Sequence, residues 1–191
     1  LLGHPASLTK SGMHSLIALS KLPGLTLSAA FGPQHGIRGD KQDNMIETEN
    51  FIDPELHIPV FSLYGEVRRP TQEMCDSFDV ILIDLQDIGT RIYTYVTTLL
   101  YVLEAAAENS KTVVVLDRPN PVGRPIEGSI LEAGWESFVG AAPLMMRHGL
   151  TLAELAQWFL KERKLSVDLH VVPMKGYLPD AAPGFGWPIF E

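Results

Sequence analysis

DVILIDLQDIGTR, residues 79–91, decides the architecture. Within it VILIDLQ, residues 80–86, opens on a continuous apolar run, the pattern of a strand covered on both faces rather than the alternation of a half-exposed sheet. It ends on Asp84 and Asp87, so a buried strand empties directly into a polar loop. The same grammar continues downstream. A Leu- and Ala-rich helical stretch covers roughly 93–108, and a second buried run, TVVVLD at 112–117, is stopped by RPNP. After a region of scattered Gly and Pro, Thr151-Leu152-Ala153-Glu154 forms a capping box that opens a helix to about 164, and VDLHVVPM reads as a last strand. Upstream, SGMHSLIALSKL (11–22) has helical spacing, LTLSAAF (25–31) reads as a buried strand, PVFSLY as a short one, and 71–78 as a brief helix. Strand and helix alternate throughout, which predicts one α/β domain over 1–191 with a mostly parallel sheet.

Composition narrows the partners. With 15 Lys and Arg against 23 Asp and Glu, the formal charge of −8 argues against a nucleic-acid partner, because phosphate contacts need surplus cations. An anionic membrane surface is disfavoured for the same reason, and an acidic ligand must be met by locally placed arginines. Cys75 is the single cysteine, which rules out an intrachain disulfide and a Cys-based zinc site. It sits in TQEMCDSF, where a packed structural role is expected. No apolar run approaches the roughly 18 to 20 residues of a membrane helix, and no signal peptide is visible. The chain opens on LLGHPAS without Met and stops at GFGWPIFE, the look of a piece of something longer.

In open parallel sheets, ligands bind beyond the carboxyl ends of the strands. Here those ends lead into GPQHGIRGD, YGE, DLQD and DRPNP, four polar exits expected to converge on one edge. The glycines Gly32, Gly36 and Gly39 do not have dinucleotide-fingerprint spacing, Pro33 removes an amide donor, and no G-x-x-x-x-G-K-[ST] occurs, so no cofactor is expected. His35 is either a loop histidine or a group that carries a proton near neutral pH. Arg38 and Asp40 either pair with each other or face a ligand. Asp84 and Asp87 either anchor the loop and cap the next helix or act as acid, base or metal ligands, although a carboxylate pair without spaced histidines is a weak metal signal. Arg118, held between prolines, suits bidentate recognition of an anion, and Arg91, Arg147 and His148 extend that cationic set. Tyr64, Tyr93 and Tyr95 either floor a sugar or stack in the core.

Taken in order, FGPQHGIRGD, IPVFSLYGEVRRPT, DVILIDLQDIGTRIYTY, VVLDRPNP and MRHGLTLAELA resemble the exo-β-N-acetylmuramidases of peptidoglycan recycling, over nearly the whole chain. The resemblance implies a three-layer Rossmann-like catalytic domain with helices on both faces, followed by a smaller C-terminal domain that this chain largely or wholly lacks. The implied reaction is release of a terminal non-reducing N-acetylmuramic acid from a small glycan or muropeptide. Its lactyl carboxylate would fall to Arg38, Arg91, Arg118 or Arg147, and sugar hydroxyls to Gln34, Asp117 and Asn120. One departure stands out: family members commonly read PEHG where this chain reads Pro33-Gln34-His35-Gly36. Glycoside hydrolysis usually employs two carboxyl groups, and Gln34 cannot transfer a proton as glutamate would. His35, Glu66, Asp84 and Asp87 are then the catalytic candidates; the alternatives are a glycan-binding module without catalysis and a metal-assisted hydrolase of another small anion.

Overall fold

The computed structural model describes residues 1–39, 47 and 49–181. In chain order the elements are β1 (Leu2–Gly3), α1 (Ser15–Ser20), β2 (Ala30–Gly32), β3 (Phe51–Ile52), β4 (Pro59–Ser62), α2 (Gln72–Asp76), β5 (Val80–Asp84), α3 (Thr94–Glu108), β6 (Thr112–Leu116), β7 (Glu127–Ile130), β8 (Met145–Arg147), α4 (Leu152–Glu162) and β9 (Asp168–Val172). Seven of the strands form one sheet in the order β3-β4-β2-β1-β5-β6-β9, parallel except for β3. The chain therefore winds outward from β1 through β2 and β4, returns to β5 on the other side of β1, and winds outward again. That reversal is the switch point at which doubly wound sheets open a crevice.

The faces of the sheet are packed by different partners. Ile81, Ile83, Val113 and Val115 are at most 1% exposed and cluster with Leu99 and Leu103 of α3 and Leu155 and Phe159 of α4. Leu1, Ala30 and Val60, one residue out of phase, cluster instead with Leu16 of α1 and Ile37. Helices thus lie on both faces, as expected. The Leu- and Ala-rich stretch read as a helix is α3, buried nearly all round, including Thr97 and Thr98 at 0% exposure. The capping box of α4 is formed in both directions, Thr151 accepting from the Glu154 amide and Glu154 from that of Thr151. Arg124 then grips the same glutamate with two donors at 2.6 and 2.8 Å.

Three expectations need correction. The strand read over 25–31 is only Ala30–Gly32, because its neighbour β1 is two residues long and offers few rungs. The helix read over 11–22 is only Ser15–Ser20: Thr9 and Met13 close a turn before it, and the His14 side chain caps it by accepting from the Leu16 amide. The weakly patterned region before 146 holds an antiparallel pair, β7 and β8. Among the described residues no helix is long and apolar enough to cross a membrane.

Candidate functional site

The exits of β1 and β5 meet at the switch point, and they form a closed polar cluster. Asp84, at 2% exposure, accepts from Arg118 Nε and from Ser15 Oγ, both at 2.5 Å, so each carboxylate oxygen is occupied. Ser7 donates to the Asp84 carbonyl and accepts from the His4 amide. His4, also buried, accepts the Gln86 amide at Nε2 (2.9 Å) and meets the Tyr95 ring edge-on at 5.1 Å. Accepting there places the proton of the neutral ring on Nδ1. Burial, more than any neighbouring charge, lowers the His4 pKa to about 4.

Asp87 is similarly enclosed. Its Oδ2 accepts the Gly89 amide at 2.8 Å and lies 3.2 Å from His148 Nε2, close but not aligned as a hydrogen bond. Both side chains are under 5% exposed. Gly89 has φ +80°, and a Cβ there would stand 2.3 Å from Val122 and 2.4 Å from Asn120, so only glycine fits the turn.

A more open arrangement stands at the exits of β2 and β4. Gly32 pairs with Ser62, which sets the two exits side by side. The Gly36 amide donates to the Pro33 carbonyl, closing a turn whose third residue, His35, has φ +73°. Turns with positive φ at that position ordinarily place glycine or asparagine there. A histidine held in that conformation is backbone strain retained between two glycine-rich arms, a feature that concentrates at functional sites. Beside it, the amide oxygen of half-buried Gln34 accepts from Thr94 Oγ1 at 2.8 Å, at the first turn of α3. Tyr93 and Tyr95 pack with their rings tilted by 55° and centroids 4.5 Å apart, and burial raises the pKa of both. From β4, Tyr64 is buried against Phe138 at 5.9 Å, while Glu66 is exposed.

The remaining candidates are distributed as follows. Arg38 pairs at 2.6 Å with buried Asp53; Asp40 lies outside the described residues. Arg91, 7% exposed, donates to the carbonyls of Ser129 (2.8 Å) and Leu144 (2.6 Å), tying β7 and β8 to the body. Arg147 pairs with Glu127 at 2.6 Å and donates to the Val122 carbonyl. Asn120 is buried, donating to the Leu150 carbonyl and accepting the Val122 amide. Asp117, whose carboxyl burial pushes up against the opposing pull of the Ala153 amide and Thr151, braces the start of α4. With Asp84, Arg118, Lys10, Met174 and Tyr177 it also lines a cleft of about 650 Å³. His4 and Thr94 were not singled out by sequence: His4 follows a two-residue strand too short for periodicity to mark, and Thr94 reads as an ordinary helix start.

Residues 1–187 match the family described as exo-β-N-acetylmuramidase NamZ, N-terminal. A curated protein of Bacillus subtilis (strain 168), peptidoglycan β-N-acetylmuramidase NamZ, is 47% identical over 176 residues, covering 92% of this chain and 42% of that protein. Two crystal structures of DUF1343 family proteins from Bacteroides fragilis NCTC 9343 superpose with TM-scores of 0.83 and 0.78, at 42% and 32% identity. Each covers 92% of this chain, which in turn spans 44% and 46% of those chains. The chain thus spans less than half the length of the relatives it matches.

Proposed function

The chain belongs to the exo-β-N-acetylmuramidase NamZ family, matching its N-terminal part, and on that premise we propose that it carries the catalytic cleft of a glycoside hydrolase. The substrate is the terminal N-acetylmuramic acid at the non-reducing end of a peptidoglycan fragment. Residues 1–191 then form one catalytic domain, and the family's smaller C-terminal domain lies beyond it.

The observation that carries this reading is the strained His35 turn, next to an oriented amide and on the strand exit adjoining the one that carries an exposed carboxyl. Of the three carboxyl candidates, Asp84 and Asp87 are enclosed and already hydrogen-bonded, so they position the loops. Glu66 is the one that reaches solvent, on the exit adjoining His35. Glu66 and His35 form the proton-transfer pair, one protonating the leaving oxygen while the other activates water. Gln34, its oxygen engaged by Thr94, offers its amide donors to the sugar. Tyr93 contributes apolar wall, a usual companion of polar groups in a sugar cleft.

Gln34 itself favours a second reading, a glycan-binding protein without turnover, because an amide cannot act as acid or base. Full-length protein incubated with a chromogenic β-N-acetylmuramic acid glycoside and the matching N-acetylglucosaminide, alongside Gln34→Glu, separates the two. Release from the muramic substrate alone by the native protein is the expected outcome. Activity confined to the Gln34→Glu variant would establish the binding reading instead.

A further inference from the structure

We infer that Arg68 anchors the lactyl carboxylate of the substrate and so makes the cleft select N-acetylmuramic acid over N-acetylglucosamine, an assignment that rests on the muramidase reading above. With a net charge of −8 the protein offers no general attraction to an anion, so the carboxylate needs a placed cation. Arg38, Arg91, Arg118 and Arg147 are each held by an acid or by backbone carbonyls of the fold. Arg68 also has a carbonyl and an acid, but the acid is weakly engaged and the guanidinium is stacked on aromatic rings. Its guanidinium lies 4.0 Å above the Tyr64 ring and 5.5 Å from that of Phe138, and Nη1 donates to the Gly65 carbonyl at 2.7 Å. Among the described residues its acid partner is Glu47, two-thirds exposed and 3.5 Å away, at the limit of a hydrogen bond.

Among the described residues the fork is therefore oriented by an aromatic stack and one carbonyl, with only the exposed, distant Glu47 as an acid against it. A guanidinium held that way loses little freedom when a carboxylate docks on its remaining N–H groups, and its planarity favours two parallel bonds. Its place in the fold fits the role. Arg68 follows Glu66 by two residues on the β4 exit, next to the β2 exit that carries Gln34 and His35. Its neighbour Arg69 has the opposite duty, bracing α3 through Glu104 at 3.8 Å and Glu108 at 2.7 Å. The Arg-Arg doublet thus divides into one brace and one reader.

The test compares two substrates of the full-length protein: the β-N-acetylmuramic acid glycoside and its uncharged lactyl methyl ester. The native protein should prefer the acid, and Arg68→Ala should lose roughly 10- to 100-fold in kcat/KM on the acid, the range for hydrogen bonds to a charged group. The ester rate should hold, so that the acid-to-ester ratio collapses toward one, and Arg68→Lys should restore part of it. Parallel loss on acid and ester, or an unchanged ratio, overturns the assignment. A native protein silent on both substrates counts against the muramidase reading instead. Calorimetry with N-acetylmuramic acid and its methyl ester then reads the anchor alone, and a preference for the acid surviving in Arg68→Ala overturns it.

Discussion

The exits of β5 and β2 look alike as sequence, each a glycine, acids and an arginine after an apolar run, yet they fold into opposite kinds of place. At the β5 exit Asp84 and Asp87 are buried; Arg118 and Ser15 occupy both oxygens of Asp84, and the Gly89 amide occupies Oδ2 of Asp87. At the β2 exit a histidine is kept in a backbone conformation suited to glycine, beside a half-buried glutamine. The first arrangement is a buried, hydrogen-bonded cluster; the second holds local backbone strain. On the function proposed above, burial rather than residue type separates scaffold from working surface.

The largest effect that tests this contrast is removal of the Asp84 carboxylate. Asp84→Ala strands Arg118 and the Ser15 hydroxyl and should cost about 3 kcal/mol in urea unfolding, toward the low end for a broken buried pair because Arg118 is partly solvated. Removing Arg118 as well should recover part of the loss. If Asp84→Asn kept full stability but abolished turnover, Asp84 would belong to the chemistry and the contrast would break.

Next comes acid. The unfolded chain protonates His4 near pH 6.5, and the folded one resists until about 4. Stability should therefore fall as pH drops through that window, by about 3 kcal/mol if the whole difference is expressed. Thermal melts across pH 7 to 4 measure it, and His4→Gln should flatten the slope over that interval.

The smallest stability effect belongs to the working surface. His35→Gly relieves the positive φ while loosening the unfolded chain, and the two should nearly cancel, within about 1 kcal/mol. Turnover on the muramic glycoside should nonetheless drop by about 100-fold or more, the usual share of a proton-transfer group. A destabilised, fully active His35→Gly would place His35 in the scaffold.

Much of the fold was legible because its central parts are long and locally consistent. VILID and TVVVL are continuous apolar runs, and the α4 capping box forms as written. β7 was illegible because all four of its residues are exposed, leaving no alternation to read, and β1 and β3 are two residues each. The site was legible as a set of strand exits but not in its pairings. Arg118 finds Asp84 from 34 residues away and Arg38 finds Asp53 from 15, so which arginines are engaged depends on tertiary placement. Arg68 stood in plain view within YGEVRRPT, and only its stack on Tyr64 separates it from Arg69.

The central position of β1 has a practical consequence for anyone engineering the molecule. Leu2 and Gly3 are the seam between the β3-β4-β2 half of the sheet and the β5-β6-β9 half. Deleting that seam leaves two three-stranded pieces whose facing edges are matched to the same short peptide.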